Sequence, residues 1–474
     1  MTAPVVILQR RAELVDPHDC TDAADDLSIL SAALETLVRR VGSDVVPQLA
    51  ERWTVSDDAC RWAFVLRAGV LFHDGTPCDA PAVAQSLRRM AREDKGYTLG
   101  APAVWRQYLG TAEIHAQGLD LQITLGEPMA DLVDVLVQGF ILSPACLERL
   151  DDGELDAMVG TGPYRVETAS PGEVQLTPAA SSSNLPPLTF RAMPDAEDRA
   201  NALRAGQAHV ATNLPFASQL GPGVTRVESL NPVAIIFLMN AVKGPLTDSR
   251  LRRALDLALD REALVRDVME GGAHPLYGFV SPVHFGAEPA VARPADRDLA
   301  RRLLAEAGHP DGLTLGVSCP TRLPDEAVRL TAALADQLSR IGVTLDVTYH
   351  EDREAYAHQV RRKEIRDLAV FDSSPLSTYR VLVEKLDARV EGSWWEGYHN
   401  AEVEALIDAG RRCPDREKRA AIYRRAYRAL QSDPPWLTLY NPVRVVGLAG
   451  DHPHYALGSD AVLDAAGLPM VAHG

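Results

Sequence analysis

Leu313-Thr-Leu-Gly-Val-Ser318 and Val343-Thr-Leu-Asp-Val-Thr-Tyr349, with Asp325 to Arg340 between them, carry the pattern that decides the fold. The outer segments are short runs rich in apolar and β-branched residues, as strands are. Between them Ala327, Leu330, Leu334, Leu338 and Ile341 fall on one stripe at helical spacing, and Gly342 stands where a helix exits. A strand, helix and strand in this order, with so short an exit loop, predict a right-handed crossover and parallel pairing. The fold class is therefore α/β.

Outward from this unit the pattern continues on both sides. Toward the C-terminus a helix from about Arg353 and the run Leu368-Ala-Val-Phe371 extend the same wound sheet. Helices follow from Asn400 and from Asp415, the latter with Ile422, Ala426 and Leu430 on one side. Toward the N-terminus, Asn231 to Asn240 holds a near-continuous apolar run. Asp248 and Asp260 are placed to cap two helices, the first through Leu251, Leu255 and Ala258, the second stopped by Gly271-Gly272.

Before residue 230 the style changes. Val5 to Leu8 reads as a strand, and Leu27, Leu30, Leu34 and Val38 at helical spacing predict a helix. Arg61 to Arg67 puts Trp62, Phe64 and Leu66 on one face of an alternating strand. Asp74-Gly75 and Pro77 mark a turn, Asp79 caps a helix with Val83, Leu87 and Met90 on one side, and Leu119 to Leu125 reads as a further strand. The stretch to about residue 155 is a small mixed lobe, and no internal repeat or low-complexity tract interrupts the chain.

Composition narrows the function. The 474 residues are enough for several domains, and 46% hydrophobic with 24% charged residues is ordinary for a folded chain. Sixty-five acidic against 48 basic residues give a net charge of −17, which repels nucleic acid and anionic membranes. No window approaches the roughly 18 apolar residues that read as a membrane span. The start, Met1 to Arg11, does not read as a secretory signal, since no basic stretch precedes a long apolar one. Six cysteines, Cys20, Cys60, Cys78, Cys146, Cys319 and Cys413, lie far apart without a C-x-x-C pair, so free and mostly buried thiols are expected.

The common catalytic signatures G-x-x-x-x-G-K-[ST], G-x-S-x-G and H-E-x-x-H are absent. Gly160-Thr-Gly162-Pro-Tyr164 lacks the third glycine of a dinucleotide loop, and Pro163 spoils its amide cradle. His73-Asp74 reads as turn chemistry, and His452-Pro-His454 as a surface loop. Asp57-Asp58, Asp151-Asp152 and Glu351-Asp352 read as solvated turns. No catalytic residue, metal or cofactor is expected. One segment resists a bland reading. Aromatics are only 6% of the chain, yet Trp394, Trp395 and Tyr398 fall close together in Gly392-Ser-Trp-Trp-Glu-Gly-Tyr-His399, a pattern that suits a ligand-lining loop or a packed core equally.

Val46-Pro-Gln-Leu-Ala-Glu-Arg-Trp53, Trp62 to Val70 and Phe72-His-Asp-Gly-Thr-Pro77 together resemble the N-terminal signature of the family 5 solute-binding proteins, the peptide, opine and nickel receptors of ABC importers. Gly160 to Tyr164, Asp248 to Glu262, Leu303 to Gly308 and Asp433-Pro-Pro-Trp436 resemble later blocks in the family's order, so the resemblance runs from about residue 5 to 450. It implies a two-lobed periplasmic-binding-protein-like (type II) fold with an additional small mixed α/β domain. By analogy lobe I takes 1–40, 160–229 and 436–474, the extra domain 41–159, and lobe II 230–435. The implied function is capture of a small polar solute, peptide-like, opine-like or another small metabolite, in an interlobe cleft by hinge closure.

The resemblance implies a small-molecule or short-peptide ligand and an ABC permease as partners, no nucleic acid, no membrane insertion, a monomer and an extracytoplasmic location. Expected ligand contacts are Trp394, Trp395 and Tyr398 as an aromatic wall, Asp372, Ser373 and Ser374 as polar orienting groups, and Tyr97, Trp105 and Arg106 in the small lobe. Two places depart from the family pattern. Phe371-Asp-Ser-Ser-Pro-Leu-Ser377 replaces a Trp-rich segment with an acidic residue that pairs with a peptide's amino terminus, and Asp57-Asp-Ala59 lacks a common glycine. Without a readable secretion signal or lipobox cysteine, the alternative is a cytoplasmic member of the same fold acting as a ligand sensor, a biosynthetic component or an enzyme.

Overall fold

A computed structural model describes residues 3–19, 22–96, 104–180, 184–288, 291–321, 324–373, 375–390, 397–458 and 460–469. The described residues up to Ser229 and from Arg444 onward form one compact unit, and Leu230–Val443 form another.

In the second unit the strands Leu313–Pro320 and Val343–His350 run parallel in register from Leu313 opposite Val343 to Pro320 opposite His350, with helix Ala327–Ser339 as the crossover. Leu330, Leu334 and Leu338, on the predicted stripe, are buried, and Gly342 takes the left-handed backbone (φ 86°) that its exit position needs. Leu368–Ser373 pairs parallel with Leu313–Pro320. Ala234–Met239 then pairs antiparallel with Leu368–Ser373 on one side and with the start of Trp436–Ala449 on the other. All six residues of Ala234–Met239 are buried, which explains its unbroken apolar run: a central strand covered on both faces has no polar side to show. Asp248, Asp260, Asn400 and Asp415 each accept a first-turn amide of the helix they precede, at 2.8 to 3.1 Å.

The first unit is built around Val5–Gln9, which pairs parallel with Leu188–Ala192 and with Val210–Ala211. The hairpin Tyr164–Ser170 with Glu173–Pro178 extends the sheet beyond Leu188–Ala192, and Gly447–Leu448 joins antiparallel to Val210–Ala211. Ile7, Val174, Leu176, Phe190, Val210 and Leu448 fill the core of this sheet. A separate four-stranded antiparallel sheet orders Ala50–Val55, Arg61–Leu66, Asp120–Thr124 and Glu113–Gln117. Trp62, Phe64 and Leu66 are buried on its inner face as the alternation requires, and Asp79 caps helix Ala80–Met90 through the Ala82 amide at 3.0 Å.

One expectation is corrected. The helix predicted through Val38 ends at Ala33, and Val38 instead opens the strand Val38–Val41, paired with Asp44–Pro47. The cause is tertiary: the Gly162 amide donates to the Ala33 carbonyl at 3.1 Å, a partner that periodicity cannot announce. Among the described residues no helix is long and apolar enough to cross a membrane.

Candidate ligand-binding residues

Strand Leu368–Ser373 places Asp372 opposite Ile235 and Ser373 opposite Ala234. Asp372 is half-buried, whereas Ser373 is buried and its Oγ has no hydrogen-bond partner among the described residues. An unmade hydrogen bond at a buried hydroxyl costs about 1–3 kcal/mol, so such a group stands out at a strand end. The chain beyond is firmly held. The His284 ring lies at hydrogen-bonding distance from the Pro375 carbonyl (2.9 Å), Thr378 Oγ1 donates to the Phe285 carbonyl (2.6 Å), and Ser377 Oγ accepts the Arg380 amide (3.3 Å). The following turn Val381–Leu386 is a π-helix, a form often found at functional sites. Arg380 and Glu384, both buried, pair at 2.8 Å across it. Sequence reading did not single out His284, Arg380 or Glu384. The i, i+4 spacing of the last two was the available signal.

Tyr398 is almost fully buried in the same unit. Its hydroxyl donates to the Asp433 carbonyl at 3.0 Å and the Arg252 guanidinium lies 5.6 Å from its ring centroid. Arg252 in turn pairs with the Asp433 carboxylate and donates to the carbonyls of Pro434 (3.2 Å) and Leu246 (3.0 Å), while Asn400 Nδ2 donates to Asp433 (3.3 Å). Burial, reinforced by the Asp433 charge, raises the Tyr398 hydroxyl well above the usual phenol range, so it stays a donor. This knot joins two of the motif blocks, Asp248 to Glu262 and Asp433 to Trp436, through one aromatic ring.

In the first unit Trp105 is buried, meets Tyr108 edge-to-face at 6.4 Å between centroids, and its indole Nε1 has no hydrogen-bond partner among the described residues. Arg106 is exposed and pairs with Glu93 at 3.2 Å. Tyr97, Ser374, Trp394 and Trp395 lie outside the described residues.

The remaining motifs resolve into supports. His73 Nε2 lies 2.8 Å from the Gly162 carbonyl and the His73 amide donates to Gly160 at 2.9 Å. Asp74 accepts from Thr76 within its turn and from Ser143 Oγ at 2.7 Å. A β-carbon on Gly160 would stand 2.3 Å from a Leu34 methyl, so the glycines permit close backbone contact with the end of helix Ala24–Ala33. Asp151 meets Arg89 (2.9 Å), Arg92 (2.6 Å) and Lys95 (3.1 Å), and Arg89 also binds Asp16 (2.7 Å) and the His18 ring (2.8 Å). Burial, aided by the Arg89 charge, lowers His18 to about 3. Burial alone would raise the Asp16 carboxyl, but hydrogen bonds from Arg89 and the His18 amide outweigh it and hold Asp16 below the ordinary carboxylate range. His452 Nε2 lies 2.9 Å from the Ala449 carbonyl. Cys78, Cys146 and Cys319 are buried thiols and Cys413 is half-buried. Among the described residues no three His, Cys, Asp or Glu side chains gather to hold a metal ion.

Residues 44–375 match the model of the bacterial extracellular solute-binding proteins, family 5 middle, and the chain belongs to that family. It is accordingly a solute-binding protein of the ABC-importer class with the two-lobed periplasmic-binding fold. Among its relatives is the glutathione-binding protein GsiB of Salmonella paratyphi A, 27% identical over 92% of this chain and 88% of that one. Among solved structures, the periplasmic binding protein DppA of Helicobacter pylori, in complex with the peptide STSA, superposes with a TM-score of 0.77 at 22% identity over 98% of this chain and 97% of that one. AgaA of A. tumefaciens R10, in complex with agropinic acid, gives a TM-score of 0.77 at 21% identity over 94% and 93%.

Proposed function

We propose that this protein captures a small polar solute of peptide-like or opine-like character outside the cytoplasm, by hinge closure, and hands it to an ABC permease as a monomer. The observation that carries the reading is the family match over residues 44–375. A solute of this size and polarity is in keeping with relatives named for glutathione, the peptide STSA and agropinic acid. Trp394 and Trp395 supply aromatic faces for it, next in the chain to Tyr398, whose hydroxyl is held by the Asp433 carbonyl. Asp372, Ser373 and Ser374 orient its polar groups. The Ser373 hydroxyl and Trp105 indole N–H, both buried and unpaired among the described residues, are donors held ready for such a group. Tyr97 and Arg106 are the remaining proposed contacts. Lobe I takes 1–40, 160–229 and 436–474, the extra domain 41–159 and lobe II 230–435.

A thermal-shift screen of glutathione, tetrapeptides, opines, sugars and metal chelates tests this. At one hundred times its Kd a true ligand stabilises by about 2.7 kcal/mol, a clear rise in midpoint. Replacing Trp395 by Ala is expected to weaken the response at least tenfold. Mass spectrometry should recover the ligand unchanged, whereas a consumed ligand favours an enzyme.

A further inference from the structure

Helices Ser249–Ala258 and Arg416–Ser432 of the second unit, with the loop that carries Arg293, line a cavity of about 290 Å³. Three guanidiniums border it, from Arg253, Arg293 and Arg428. Their neutralisation is incomplete. Arg428 pairs with Glu288, and Arg293 lies 3.7 Å from Asp256, but Asp256 is already tied to the buried Arg261. Arg253 has no ion-pair or hydrogen-bond partner among the described residues. Asp256 itself lines the cavity, and it and Glu288 offset two of the three bordering arginines, so one positive charge, that of Arg253, is left over there in a chain whose net charge is −17.

Guanidinium forks match the two oxygens of a carboxylate or phosphate, and they stay charged at every working pH. The side chains of Gln431 and Ser432 add neutral polar groups to the same wall. The global field would repel an anion, so a cluster of this sign has to be assembled locally. We propose that this cavity is an accessory site for a small oxyanion, a carboxylate or a phosphate. None of the residues proposed above for solute capture lines it, so the two sites stand or fall separately.

The test titrates inorganic phosphate and, in a second arm, succinate into the full chain at constant ionic strength, read by calorimetry and by the thermal midpoint. The expected result is saturable binding of one of the two, and the arm that saturates at lower concentration identifies the anion class. The variant R253S, which removes an exposed and unpaired side chain, is expected to weaken that binding at least fivefold, and R253S/R428S at least fiftyfold. R302S, an exposed arginine on helix Arg297–Glu306 of the same unit, should leave it unchanged. Circular dichroism confirms that each variant is folded. Unsaturable shifts equal in all four proteins, or full-strength binding in folded R253S, would overturn the proposal.

Discussion

Gly162 has no room for a side chain. A β-carbon there would stand 2.5 Å from the carbonyl carbon of Ala33 and 2.7 Å from its oxygen, against backbone that cannot swing aside. Gly162→Ala is therefore expected to destabilise the first unit by about 1–3 kcal/mol, the usual cost of overpacking, measured as a lower urea midpoint. His18 makes a second prediction at this scale. Its folded pKa of about 3 lies below the 6.5 of an unperturbed imidazole, so below pH 6.5 the unfolded chain binds a proton that the folded chain refuses. The stability it contributes is whole above pH 6.5 and drains away as pH falls toward 3, by up to about 1.4 kcal/mol per pH unit. His73, also lowered first by burial, acts in the same direction. Urea midpoints measured between pH 7 and 4 should fall with a shallower slope in His18→Gln than in the parent. An unchanged slope would remove His18 from this role. Neither residue showed its part in the sequence, where Gly162 read as a spoiled phosphate loop and His18 drew no notice. Both roles depend on partners far along the chain, the Ala33 carbonyl for one and Arg89 for the other.

Among the elements, legibility followed the range of the forces involved. The strand, helix and strand between 313 and 350 were readable because a stripe of leucines and a glycine exit are local signals. The capping aspartates were readable for the same reason. Helix Ala24–Ala33 stopped short of its apolar pattern because a distant amide captured its last turn. The π-turn Val381–Leu386 was not legible either, since the buried pair Arg380–Glu384 spans it and the chain leading into it is held at Pro375 by His284 and at Thr378 by Phe285. Removing one member takes from the other its 2.8 Å partner in the interior. Glu384→Ala should thus cost about 3–5 kcal/mol, whereas the double variant R380M/E384L should cost less because neither member of this pair is left without the other. Chemical denaturation of the two proteins makes the comparison. Of the candidate contacts, Asp372 and Ser373 were placed by the apolar run before them. Tyr398 was singled out by its aromatic neighbours, but its burial beneath Arg252 was not foreseeable.

At the level of the whole molecule, the motif blocks turn out to be fastenings more than contacts. Phe72 to Pro77 locks to Gly160 to Tyr164 through His73, and Asp248 to Glu262 locks to Asp433 to Trp436 through Arg252 and Tyr398. This explains why such blocks identify a fold so well and a ligand so poorly: what they encode is how the backbone is held. We propose that ligand choice rests instead on a few side chains such as Ser373 and Trp105, whose polar atoms are buried and unpaired among the described residues. In the proposed function the chain binds one small polar solute and releases it unchanged. Isothermal titration of the purified chain with the best stabiliser from the thermal screen, followed by mass spectrometry of the recovered solute, tests it most directly. Saturation at one solute per chain, with the solute recovered intact, is the expected result. Failure of every peptide, opine, sugar and chelate to saturate, or recovery of a chemically altered product, would contradict it.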